Sequence, residues 1–176
     1  MVQSGDTIDN PVTGERITWV RTSSETQGAT AVMDLELSPT AFLNSEHIHL
    51  HQEEKFEILD GRIRLRCDGQ ESVCGPGEIV VVPAGSPHTW APQDGKGALL
   101  RLTFTPGAEI EEMFDEFFRC AREGRTNSKG MIKSPFVSAR LALTHDLYLA
   151  QLPVPLQRAL CRVLVSAAKA LPSDKR

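Results

Sequence analysis

Between Glu15 and Gly107 the apolar residues never run long. They fall in short alternating or apolar stretches, ERITWVR, AVMDLELS, KFEILDG, RIRLRC, GEIVVVPAG and ALLRLTFTPG, separated by Gly, Pro, Asn and Asp. Strands at this spacing, with turn residues between them, predict an all-β sandwich or barrel. The clearest strand is RIRLRC, where Ile63, Leu65 and Cys67 alternate with Arg62, Arg64 and Arg66. That pattern gives one buried face and one solvated face. Asp60-Gly61 and Asp68-Gly69 are hairpin signals, because glycine takes the positive φ a tight turn needs.

The pattern changes near Pro106-Gly107. AEIEEMFDEFFRCAREG opens with acids and closes with basic residues and a glycine, as the helix dipole and the C-cap favour. Its Ile110, Met113, Phe114, Phe117 and Phe118 recur at steps of three and four, one broad apolar stripe. After the loop GRTNSKG, both SPFVSARLALTHDLYLA and PLQRALCRVLVSAAKALP read as helices by period. In the last, Leu156, Ala159, Leu160, Val163, Leu164, Ala167 and Leu171 share a face. Such a helix packs on its own domain or on a second subunit more often than on a membrane. The chain therefore divides into a β-domain, residues 1–107, and a helical C-terminal extension, residues 108–176.

With 176 residues there is enough chain for one domain with a real core. A net charge of −4 supplies no general attraction to nucleic acid, and no apolar run approaches the roughly 20 residues that span a bilayer. The first thirty residues are polar, so no signal peptide is expected and the location expected is cytoplasmic. Cys67, Cys74, Cys120 and Cys161 form no CxxC pair, which suits free thiols rather than disulfides or a thiolate zinc site.

Three of the five histidines lie in HIHLHQEEKFEILDG, residues 47–61. On a strand His47, His49 and His51 would share a face; Glu54 has the opposite parity and joins them only if the chain turns near Gln52-Glu53. Two imidazoles and a carboxylate from adjacent strands could then meet, with Phe56 and Ile58 behind them. A fourth ligand would have to come from elsewhere. His88, in GEIVVVPAGSPHTW, follows an apolar strand and a Pro-Ala-Gly corner. His51 sits where the turn begins and is expected to be exposed or a partner to a ligand; His145 is expected to be an ordinary surface or packing residue. Trp19 and Trp90 are core candidates, with Trp90 and Phe56 expected near the mouth of the barrel.

Two gapped patterns here resemble the cupin signature. His47, His49, Glu54 and Gly61 meet its first half, and Gly77, Pro83, Gly85 and His88 its second. Ala41 replaces the usual leading glycine and Pro92 the usual closing asparagine; neither position is a ligand. DNPVTGERITWV, GRTNSKGM and PVPLQRAL further resemble a group of bacterial single-domain cupins with a helical C-terminus and no settled activity. The resemblance implies a mainly β fold, an antiparallel jelly-roll barrel followed by C-terminal α-helices. It also implies that His47, His49, Glu54 and His88 are ligands of one divalent transition metal per chain. Three imidazoles and one carboxylate suit Fe, Mn, Ni, Cu or Zn, and softness does not separate these. Four protein ligands leave one or two positions open on an octahedral ion, as a working metal needs.

Two functions fit. The first is a metal-dependent, dioxygenase-type enzyme (or a related isomerase) acting on a small oxygenated organic molecule, with Glu54 also taking a proton as its catalytic residue. The second is a non-catalytic small-molecule-binding or sensing module whose helical tail mediates partner contacts. Besides Glu54, only Glu53, Glu57 and His51 offer acid–base chemistry nearby. A small molecule in the barrel and a second copy of the chain, forming a homodimer, are the expected partners; nucleic acid and a membrane span are not.

Overall fold

The computed structural model describes residues 2–42 and 45–169. Among the described residues, eleven strands and three α-helices follow in chain order. The strands are β1 (Thr7–Asn10), β2 (Glu15–Arg21), β3 (Ala31–Leu37), β4 (His47–His49), β5 (Glu53–Asp60), β6 (Ile63–Cys67), β7 (Gln70–Cys74), β8 (Ile79–Val82), β9 (His88–Pro92) and β10 (Ala98–Thr105). After them come α1 (Ile110–Arg122), α2 (Pro135–Thr144), β11 (Leu147–Leu149) and α3 (Val154–Lys169). The strands form two antiparallel sheets of order β1-β2-β3-β10-β5-β8 and β11-β4-β9-β6-β7, a jelly-roll barrel with helices at its C-terminal end.

Alternation in the sequence sets which side chains fill the barrel. β10 buries Ala98, Leu100, Leu102 and Phe104, and β5 buries Glu54, Phe56 and Ile58 opposite them. In β6, Ile63 and Leu65 are buried while Arg64 is exposed, the division expected of RIRLRC. Asp68 and Gly69 join β6 to β7 with φ of 49° and 77°, the left-handed pair a two-residue hairpin demands. At Gly61, with φ of 72°, an added Cβ would lie 2.4 Å from the Gly97 carbonyl oxygen, so β5 can turn there only on glycine.

α1 belongs to the same core. Ile110, Met113 and Phe118 are buried with the barrel residues, and Phe114 and Phe117 pack beside them. Glu111 fastens the start of α1: its Oε1 accepts from the Ser23 N–H and the Ser23 hydroxyl, both at 2.7 Å.

The C-terminal part departs from the periodic reading in two places. SPFVSARLALTHDLYLA is not one helix. α2 ends at Thr144, Asp146 takes φ of 47°, and Leu147–Leu149 becomes a strand paired with β4. Leu-Tyr-Leu finds an open sheet edge there, and pairing with it outweighs both the helical period and the helix propensity of leucine. In α3 the face proposed for packing is the exposed one. Leu156, Leu160 and Val163 are 61%, 57% and 66% exposed, and Ala159 and Ala167 are exposed as well. Leu164 is half-buried, and Leu171 lies outside the described residues. The helix instead rests on α2 and β11 through the opposite side, which includes Gln157, Cys161, Val165 and Ala168.

Candidate metal centre

The two sheets supply the four predicted residues from three strands. β4 brings His47 and His49, β9 brings His88 in register with His47, and β5 brings Glu54 from the other sheet. The turn between β4 and β5 reverses the parity that separated Glu54 from the histidines. Gln52 anchors that turn, its Nε2 donating to the carbonyls of Pro106 at 2.7 Å and Gly107 at 3.1 Å. Each of the four residues offers a ligand atom, and these atoms all lie within 4.8 Å of one another. His49, Glu54 and His88 are buried; His47 is the partly exposed member.

Hydrogen bonds to backbone carbonyls orient two of the rings. Nδ1 of His47 lies 3.3 Å from the Ser45 carbonyl oxygen, and Nδ1 of His88 lies 3.1 Å from that of Ser86. A carbonyl only accepts, so each Nδ1 carries the proton and each Nε2 is left with its lone pair for a cation. Nε2 of His88 is 2.8 Å and Nε2 of His49 4.0 Å from Glu54 Oε2. Nδ1 of His49 is buried without a hydrogen-bond partner. Burying three imidazoles and a carboxylate together is costly for a purely structural core and is what a metal site requires.

The electrostatics favour neutral rings on β4. Burial, reinforced by His88 and His49, holds His47 well below its usual range, and burial pulls His49 down to about 4. Burial also acts downward on His88, but the hydrogen bond and charge of Glu54 outweigh it and raise His88 above 6.5. Phe56 and Phe104 complete the apolar wall, with ring centroids 6.4 Å from His88 and 6.0 Å from His49.

The other residues singled out fall elsewhere. The His51 side chain is 74% exposed, its Nε2 lying 3.9 Å from Asp146 Oδ2. His145 caps the end of α2 and is half-buried, with burial lowering its pKa. Phe56, Trp90 and Trp19 are all buried in the core. Glu53 is exposed and Glu57, on the same side of β5, is half-buried, so Glu54 alone of the three turns into the barrel. All four cysteines are free. Sequence reasoning missed β11, which flanks the strand carrying His47 and His49. The available signal was the switch from helical period to Leu-Tyr-Leu after Thr144-His145-Asp146.

Comparison with known proteins agrees with this geometry. Residues 33–112 match the cupin domain family. The chain carries a cupin domain. The match includes all four candidate ligands and every strand from β4 to β10. Over 120 residues the chain is 28% identical to quercetin 2,3-dioxygenase of Bacillus subtilis, covering 68% of this chain and 33% of that one. The chain thus spans about a third of the length of that curated relative. Among solved structures it is similar to a sugar phosphate isomerase of the cupin superfamily from Silicibacter pomeroyi, with a TM-score of 0.50 and 19% identity over 58% of this chain and 71% of that one. It is also similar to an RmlC-like cupin from Shewanella frigidimarina, with a TM-score of 0.51 and 16% identity over 59% of this chain and 86% of that one. At such identities the two structures speak for the fold. No described helix is long and apolar enough to cross a membrane.

Proposed function

We propose that this protein is a metal-dependent, oxygenase-type cupin that acts on a small oxygenated organic molecule. The observation that carries the reading is the buried cluster of His47, His49, Glu54 and His88, with the His47 and His88 rings oriented through Nδ1. The similarity to quercetin 2,3-dioxygenase points the same way. In this reading the four residues hold one divalent transition metal, which supplies Lewis acidity and, if redox-active, a place for O₂ beside the substrate. The substrate approaches from the side of His47, the one ligand with solvent exposure, and presents two neighbouring oxygens. Phe56 and Phe104 exclude water behind the cluster. Glu54 is the proton acceptor, because Glu53, Glu57 and His51 do not turn into the barrel.

The test is O₂ uptake. Protein loaded separately with Fe(II), Mn(II), Ni(II) or Cu(II) is mixed with flavonols and smaller vicinal diols or hydroxyketones. Consumption that disappears in His49→Ala and is slowed in Glu54→Gln supports the reading. Binding of these compounds without O₂ consumption, on every metal, turns it over in favour of a sensing module.

That second reading has its own observation, the exposed Leu156, Leu160 and Val163 stripe on α3. We assign this stripe to self-association as a homodimer, which would remove the apolar side chains from water.

A further inference from the structure

β4 is only three residues long, and its two edges are held unequally. Toward β9 its one register pair is His47 with His88, aided by the Gly85 N–H, which donates to the His49 carbonyl at 2.8 Å. Toward β11 every residue of β4 is paired: His47 with Leu149, Ile48 with Tyr148 and His49 with Leu147. Flanking bonds extend that ladder at both ends. The Leu50 N–H donates to the Asp146 carbonyl at 3.1 Å and the Ala150 N–H to the Glu46 carbonyl at 3.0 Å.

β11 is itself three residues long and stands at the edge of its sheet, so its outer N–H and C=O groups need partners. Gln157 of α3 provides them for Leu149. Its Oε1 accepts from the Leu149 N–H at 3.1 Å, and its Nε2 donates to the carbonyls of Leu149 and Leu152, both at 2.8 Å. One side-chain amide stands where another strand would pair.

We infer that Gln157 is a positioning residue for the metal centre, holding β11 against the strand that carries His47 and His49. The inference rests on the assignment of these residues as metal ligands. A cation is bound tightly only when its ligands are already placed, and the groups that place ligands commonly govern affinity by 10- to 100-fold. With Gln157 removed, the outer groups of Leu149 turn to water and β11 frays, leaving β4 with its single pair to β9.

The test uses the full chain and Co(II), whose visible absorption reports ligand geometry. Gln157→Ala is expected to weaken Co(II) binding about tenfold and to alter the absorption band. Gln157→Glu, which keeps the acceptor but sets a carboxylate oxygen against the Leu149 and Leu152 carbonyls, should weaken binding at least as much. Ser166→Ala, on the exposed side of α3, should match wild type. Amide hydrogen exchange on the protein without added metal gives a second readout: the Ile48 and Leu50 amides are expected to exchange at least tenfold faster in Gln157→Ala. Unchanged affinity, absorption and exchange in that variant would overturn the inference, as would a loss of global stability with β4 exchange and Co(II) absorption untouched. If wild type binds no Co(II) while Gln157→Ala still speeds exchange in β4, the ligand assignment fails and the inference is overturned as a statement about metal, leaving only a strand brace.

Discussion

Nε2 of His88 and Oε2 of Glu54 meet at 2.8 Å across the barrel, from strands in different sheets and 34 residues apart. The contact closes the ring of four candidate ligands, and a cation there would take over the lone pairs that the two atoms now direct at one proton.

Metal binding should therefore appear directly in the purified protein. Chain made without a histidine tag is expected to carry close to one equivalent of a divalent transition metal, and His49→Ala and His88→Ala to lose it. Added metal at 100 times its dissociation constant should raise stability by about 2.7 kcal/mol in wild type and not in the variants. Thermal melts with and without chelator measure this. Equal melting temperatures in all samples would remove the metal assignment.

Glu15 sets a pH dependence unconnected with the metal. Burial raises its carboxyl from 4.5 to about 7, although Thr13 donates to it and favours the charge. The folded chain keeps a proton that the unfolded chain releases, so stability falls as pH rises from about 4.5 to about 7 and then levels off. The full loss is about 3 kcal/mol. Glu15→Gln should abolish this part of the slope in urea titrations across that window. A slope equal to wild type would show that Glu15 ionises freely in the fold.

Phe118 tests how far the barrel depends on α1. It is wholly buried, with ring centroids 5.8 Å from both Phe114 and Phe117. Phe118→Ala is expected to cost about 3–5 kcal/mol in urea unfolding, with one cooperative transition. A cost below about 1 kcal/mol would mark α1 as peripheral.

The α3 stripe predicts a change of size. Light scattering should give wild type as twice the chain mass and Leu156→Glu/Leu160→Glu as a single chain. Monomeric wild type, or a double variant that remains dimeric, would show that this face is not the contact.

Most of the barrel was legible in the sequence because strand alternation and turn glycines are local. RIRLRC divides into buried and solvated faces, and Asp68-Gly69 turns as expected, since sterics at the residue itself decide both. The grouping of His47, His49, Glu54 and His88 was legible only through the resemblance to the cupin signature; strand alternation by itself put His47 and His49 on one face and left the fourth partner open. Tertiary structure alone decided how those residues meet. The turn at Gln52 and the approach of β5 to β9 across the barrel bring Glu54 to His88, a contact no local period encodes. It also decided the fate of the C-terminal segment. Leu147–Leu149 became a strand because β4 offered an unpaired edge, and α3 turned its most apolar stripe outward because its other side met α2, β11 and the backbone of Leu149. Period tells which side chains share a face; what lies opposite that face is settled by partners distant in the chain.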